Sequence, residues 1–238
     1  MKFGVLDSGI GGLSVLLEIV NSNCLGEFYY LGDNLNAPYG DKTKKQLIDI
    51  TNKNVQTFLN LGINKIIVAC NTLSTTLKNY LNKKYKNVKF YYIYPNLSFL
   101  NNLDGLCYVL CTKNTAKNLK KQNIKNKNLE IIACSGLVDL LENDFFSVKF
   151  KDLKKFLPKK QPKYLYLGCT HYPLVSTLLK KAYKNAIFYD GISEFVASIN
   201  FVKSQNYAKI YFIGESKYKN AKIFTFFKKN YEKWIKFH

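Results

Sequence analysis

The sequence predicts an α/β protein with mostly parallel sheets, divided into two similar lobes. Three observations carry that expectation. Short β-rich runs alternate along the chain with segments of helical period, the order that joins parallel strands through crossover helices. The stretch "KIIVACNTLSTTLKNYL" (65–81) is echoed by "YLYLGCTHYPLVSTLLKKAY" (164–183): apolar strand, cysteine, small polar cluster, amphipathic helix. The two cysteines, Cys70 and Cys169, stand about one domain length apart. Finally, 238 residues with 47% hydrophobic and 22% charged side chains suffice for one large core or two smaller ones.

The elements follow in order. "KFGVL" (2–6) is a strand that runs into a glycine-rich turn and the helix "GLSVLLEIVN" (12–21). "EFYYLG" (27–32) is aromatic and strand-like, and "NAPYG" (36–40) punctuates the path into "KTKKQLIDITNKNVQTFLNLG" (42–62), whose apolar residues recur every three or four. "NKIIVA" (64–69) and the helix "LSTTLKNYLNKKY" (73–85) form the first half of the echo, and "VKFYYIY" (88–94) closes the first lobe at Pro95. "LCYVLCT" (106–112) and "LEIIACS" (129–135) are strands separated by the Lys/Asn-rich "KNLKKQNIKNKN", an exposed helix end and loop. "KYLYLG" (163–168) opens the second half of the echo, and "AIFYD" (186–190) is a further strand. "KIYFIGE" (209–215) and a closing helix over "FFKKNYEKWIKF" (226–237) return to the first lobe. The expected division is thus 1–93 plus 200–238, carrying Cys70, and 94–199, carrying Cys169.

Composition narrows the function classes. The formal charge is +20, which invites a nucleic-acid partner through counterion release. All 36 basic residues are lysine, however, so the bidentate guanidinium contacts of nucleic-acid readers are missing. The lysines are spread over most helices, as on solvated faces, and nucleic acid is disfavoured as a partner. The charge still draws small anions toward a cleft. No apolar run is long enough to cross a bilayer and no signal-type leader is visible, so a cytoplasmic location without a membrane partner is expected. The six cysteines form no C-x-x-C pair, which argues for reduced thiols and against a zinc site.

Four stretches hold residues suited to chemistry. In "LDSGIGGLSV", Asp7 and Ser8 end a strand, and Gly9, Gly11 and Gly12 let a ligand approach the N–H groups of a helix start. A structural turn explains the glycines alone; the carboxylate at a strand end favours a site. In "ACNTLS", Cys70 precedes the first turn of a helix, which favours the thiolate, and Asn71 and Thr72 are donors for a carboxylate. A cysteine after such a strand is also a common small apolar core residue, the reading given to Cys24, Cys107, Cys111 and Cys134. In "GCTHYP", Pro173 marks a helix start, so Cys169, Thr170 and His171 occupy the turn before it. Two residues from a thiol, His171 is a proton-transfer candidate. The thiols with Asp7 and His171 form a conceivable ligand set, but no spacing favours zinc and no metal is expected. "NAPYG" is either punctuation or a wall of the cleft.

Together "DSGIGGLSV", "APYG", "ACNTLS" and "GCTHYPL" resemble the signatures of glutamate racemases of the Asp/Glu racemase superfamily, in order and spacing, over roughly residues 3–215. The resemblance implies two flavodoxin-like lobes enclosing glutamate and cofactor-independent racemisation by two bases. Cys70 would act on D-glutamate with help from Asp7, and Cys169 on L-glutamate with help from His171, which Glu142 in "SGLVDLLEND" would orient. It further implies substrate contacts from Ser8, Pro38, Tyr39, Gly40, Asn71, Thr72, Thr112, Thr115 and Thr170, a homodimer, and a role in supplying D-glutamate for peptidoglycan. An aspartate racemase or another amino-acid racemase of the superfamily is the alternative; a basic nucleic-acid-associated binding protein is the reading from a different class.

Overall fold

The computed structural model describes residues 1–203, 208–213 and 235–237. In chain order the elements are β1 (Lys2–Asp7), α1 (Leu13–Asn21), β2 (Glu27–Gly32), α2 (Lys44–Asn60), β3 (Lys65–Val68), α3 (Asn71–Lys84), β4 (Lys89–Tyr92), α4 (Leu97–Asn101), β5 (Cys107–Cys111) and α5 (Lys113–Leu119). They continue with β6 (Leu129–Ala133), α6 (Leu137–Asp144), α7 (Phe150–Leu153), β7 (Tyr164–Leu167), α8 (Ser176–Ala182), β8 (Ile187–Tyr189), α9 (Ile192–Ser198), β9 (Ala208–Phe212) and β10 (Ile235–Phe237).

Among the described residues two sheets result, one of six strands in the order β10-β9-β2-β1-β3-β4 and one of four in the order β6-β5-β7-β8. Every ladder in both is parallel, so the α/β class expected from the alternation holds. β1 and β5 are buried along nearly their whole length because helices cover both faces. That is why they read as unbroken apolar runs. β1 lies between β2 and β3, and β7 between β5 and β8, which brings Asp7, Cys70 and Cys169 to the carboxyl ends of interior strands, where open α/β sheets gather ligands.

The first sheet is sandwiched between two cores. One is built on Phe3, Val5, Leu16, Ile19 and Phe28 and takes in Ile192, Val196 and Ile199 from α9 and the residue after it; the other is built on Leu6, Leu47, Phe58, Ile66 and Leu77. The second sheet has its own pair, around Leu110, Leu141, Leu165 and Tyr172 and around Cys107, Val109, Ala116 and Tyr166. α2 begins at a capping box in which Thr43 and Gln46 satisfy each other's backbone N–H groups. The helix expected over 226–237 lies mostly outside the described residues, but its last three are strand β10, parallel to β9. Its pairing with β9, which runs Ile235 beside Ala208 and Phe237 beside Ile210, makes it a strand where the aromatic and lysine-rich stretch suggested a helix. No described helix is long and apolar enough to cross a membrane.

Candidate active site

Both thiols sit just beyond a strand. Cys70 is the N-cap of α3, in extended backbone conformation and 4% exposed. Cys169 follows β7 after Gly168, and a 3-10 turn, Tyr172–Val175 with Pro173 at its start, carries the chain into α8. The proline ends the extended segment and holds Cys169, Thr170 and His171 in the turn. Asp7 ends β1 and is fully buried, while Glu142 reaches in from α6.

The two thiols line one narrow crevice between the lobes, with Ser8, Tyr39, Gly40, Asn71, Thr72, Thr112, Val138, Thr170 and His171. It measures about 10 Å³, room for roughly one water molecule. Pro38 stands outside it, half-buried and joined to Ala37 by a cis peptide. Thr115 is buried behind it and accepts a hydrogen bond from Thr112 at 3.0 Å. Thr112 and Thr72 meet across the lobes at 2.8 Å. The "APYG" turn is clamped from the second lobe by Asn114, whose side-chain amide donates to the carbonyls of Tyr39 and Lys42 at 3.2 and 2.8 Å.

Each thiol has its own proton-holding neighbourhood. Beside Cys70, the Ser8 hydroxyl lies 3.9 Å from Sγ and donates to Asp7 Oδ1 at 3.5 Å. Asp7 also accepts from Gly9 N–H at 2.9 Å and from Thr170 Oγ1 at 3.1 Å. Burial pushes its carboxyl up to about 6, although the charge of His171 pulls the other way. Burial and the nearby Asp7 charge push the Cys70 thiol far above its ordinary range, so it is a thiol, not a thiolate.

Beside Cys169, His171 Nδ1 lies 3.7 Å from Sγ, and its Nε2 meets Glu142 Oε1 at 2.5 Å. Burial disfavours a charged imidazole, but the hydrogen bonds to Cys169 and Glu142 outweigh it and hold the pKa of His171 well above its usual value. Glu142 likewise stays below the usual carboxylate range: burial opposes its charge, and hydrogen bonds from His171, Ile10 N–H and Asn34 overcome it. His171 is therefore held toward the imidazolium form between the Cys169 sulfur and the Glu142 carboxylate.

Several of these contacts cross the lobes without any local sequence signal. Ile10 N–H and Asn34 Nδ2 reach Glu142 at 2.8 and 2.7 Å, and the Ser14 hydroxyl donates to the Thr170 carbonyl at 3.0 Å. Tyr30 fixes the turn by donating to the Gly9 carbonyl. Among these, only the glycines announced the close approach: a Cβ on Gly9 would lie 1.7 Å from Glu142 Oε1, and one on Gly11 would lie 2.3 Å from His171 Nδ1. The remaining cysteines, Cys24, Cys107, Cys111 and Cys134, are buried and free, as are the two in the crevice.

Two parallel α/β lobes with a thiol at a strand end in each place the chain in the class of two-lobed amino-acid racemases, which are isomerases. No family model matches the chain. It is 33% identical over 202 residues to the glutamate racemase of Clostridium acetobutylicum, covering 79% of this chain and 78% of that one. To the glutamate racemase of Fusobacterium nucleatum it is 35% identical over 195 residues, 77% of this chain and 74% of the relative. Among solved structures, the glutamate racemase of Campylobacter jejuni superposes with a TM-score of 0.80 at 26% identity, covering 97% and 98% of the two chains. That of Aquifex pyrophilus gives 0.71 at 28% identity, covering 94% and 93%. The chain belongs to the glutamate racemase family.

Proposed function

We propose that the protein interconverts L- and D-glutamate with Cys70 and Cys169 as the two proton-transfer groups. The observation that carries this reading is the entry of both thiols into one crevice from separate sheets, each with its own acid–base partner. Opposed groups can take a proton from one face of a carbon and deliver a different one to the opposite face without the substrate turning over in the site.

In the L-to-D direction the Cys169 thiolate, paired with the His171 imidazolium, removes the α-proton. An S–H bond forms as the Cα–H bond breaks, and the electron pair stays on Cα. The Cys70 thiol then gives its proton to the other face, leaving a thiolate beside Ser8 and Asp7. That product state is the starting state for D-glutamate, so the enzyme returns through a reverse turnover or through proton exchange with solvent. Burial, which keeps Cys70 protonated, and the charged His171–Glu142 pair beside Cys169 support an enzyme poised for the L-enantiomer.

Binding falls to neutral donors and helix ends. Ser8, Asn71, Thr72, Thr112 and Thr170 line the crevice, and the N–H groups at the start of α3 face it; such groups hold carboxylates without a basic side chain. The crevice is too small for glutamate as it stands, so the lobes part to admit it and the Thr72–Thr112 and Thr170–Asp7 contacts open. The sheet partition supports a lobe division of 1–93 plus the stretch from 200, against 94–199, with α9 packed on the first lobe. A homodimer, a cytoplasmic location and a supply of D-glutamate to peptidoglycan complete the reading.

Incubation of the purified protein with L-glutamate in deuterated water, without added cofactor, is expected to yield D-glutamate bearing deuterium on the α-carbon. Unchanged L-glutamate would reject the proposal. Faster turnover of aspartate than of glutamate would move the assignment to the alternative substrate.

A further inference from the structure

We propose that Asn34 is a positioning residue that keeps the proton of the His171–Glu142 hydrogen bond on the imidazole. The inference rests on the reading of Cys169 and His171 just given, and it deepens that reading by assigning the residue that sets the charge state of the pair.

The short contact between His171 Nε2 and Glu142 Oε1 can hold its proton on either side. With the proton on nitrogen the pair is imidazolium and carboxylate; with it on oxygen the pair is neutral imidazole and carboxylic acid. Only the first form gives Cys169 a cation to stabilise its thiolate. Deep burial favours the neutral form, because it removes two charges from a low-dielectric interior. What opposes burial is donation to the carboxylate. Ile10 N–H donates to Oε1 at 2.8 Å and the Asn34 amide donates to Oε2 at 2.7 Å. Both donors stabilise the carboxylate far more than the acid, so each shifts the shared proton toward His171.

Asn34 is placed for this task at some cost. It is 1% exposed, and its Oδ1 meets no donor among the described residues. A buried amide oxygen without a partner is unfavourable, so packing alone does not explain an asparagine here, whereas donation to Oε2 does. Asn34 also belongs to the segment just after β2, on the first lobe, whereas Glu142 and His171 belong to the second. Full support for the imidazolium therefore exists only with the lobes together. Among the described residues, the ionisable groups that face the pair include Asp7 and Tyr30 from the first lobe and Cys169 from the second.

The chain has only two histidines, His171 and His238, which makes the test direct. The full chain with 15N-labelled histidine, and a His238→Gln version to assign the signals, is recorded near pH 7.5. Both ring nitrogens of His171 are expected to carry protons. In Asn34→Leu, Nε2 should move toward the shift of an unprotonated ring nitrogen, with Asn34→Ala as a second variant should leucine not fold. Asn34→Ser, which keeps a donor, should recover part of the imidazolium signal. Loss of one hydrogen bond to a charged group predicts a fall in kcat/KM of roughly tenfold to a hundredfold, equal in both directions because the enantiomers have equal free energy. A folded Asn34→Leu or Asn34→Ala protein with both ring nitrogens still protonated would overturn the proposal. The nitrogen shift is read without substrate, so a wild-type protein inert toward glutamate would instead reject the racemase reading.

Discussion

Gly9→Ala tests whether the turn after β1 is glycine-rich because the second lobe presses on it. The φ of Gly9 is not positive, so its backbone suits any residue and only the missing side chain matters. A methyl group there would lie 1.7 Å from Glu142 Oε1 and 2.4 Å from Cδ, where ordinary contact needs more than 3 Å. Glu142 cannot withdraw that far and keep its hydrogen bonds from Ile10, Asn34 and His171 at 2.8, 2.7 and 2.5 Å. Breaking two bonds to a charged group at about 1.5–3 kcal/mol each costs about 3–6 kcal/mol, a loss of roughly 10² to 10⁴ in kcat/KM at about 1.4 kcal/mol per decade. Both lobes keep their cores, so the variant should fold with unchanged circular dichroism. Gly62→Ala is the control: its φ is +71° with nothing within 4 Å of the added methyl, so it should lose about 1–2 kcal/mol of stability through strain and no activity. Wild-type turnover by Gly9→Ala, measured by polarimetry, would refute the close-approach reasoning.

Cys70→Ala and Cys169→Ala should each abolish racemisation, because either leaves one face of the substrate without its proton-transfer group; a coupled assay for D-glutamate checks this. Asp7→Asn should lower activity yet raise stability above pH 6. The folded carboxyl, at about 6, lies above its unfolded value of 3.8, so the contribution of this group to stability is fully present below about pH 4 and is lost as pH rises through 6. Removing that charge should return up to about 3 kcal/mol at neutral pH, read as a higher Tm for the variant at pH 7.5 than for wild type and a difference that vanishes near pH 4. Glu142→Gln should discharge His171 and lower kcat/KM by at least a hundredfold, with the loss visible in the same 15N spectra. Cys107→Ala, within the core of β5 with Leu100 and Val109, should reduce Tm but leave turnover intact.

Much of the fold was legible because parallel strands buried on both faces leave continuous apolar runs, and "KFGVL", "KIIVA" and "CYVLC" are such runs. The site was legible where chemistry and local structure coincide: Cys70 at an N-cap and Cys169 before a proline-marked turn. What binds the lobes was not. The partners of Glu142 lie 132 and 108 residues away at Ile10 and Asn34, and neither a backbone N–H nor an asparagine in a loop carries any periodic signal of its distant partner. Ser14, on α1, carries no sign in the sequence of its partner, yet it donates to the Thr170 carbonyl across the interface. The closing strand β10 was hidden because three residues are too few for the period to declare itself against the aromatic and lysine-rich stretch before it.

The claim that two thiols act from opposite faces is tested most directly by following hydrogen through the first turnovers of α-protio L-glutamate in deuterated water. D-glutamate formed early should carry deuterium at the α-carbon in every molecule, because Cys70 delivers its own exchanged proton, while the remaining L-glutamate keeps its hydrogen. Early D-glutamate that retains the substrate's hydrogen would mean that one group serves both faces, and the two-thiol mechanism would fall.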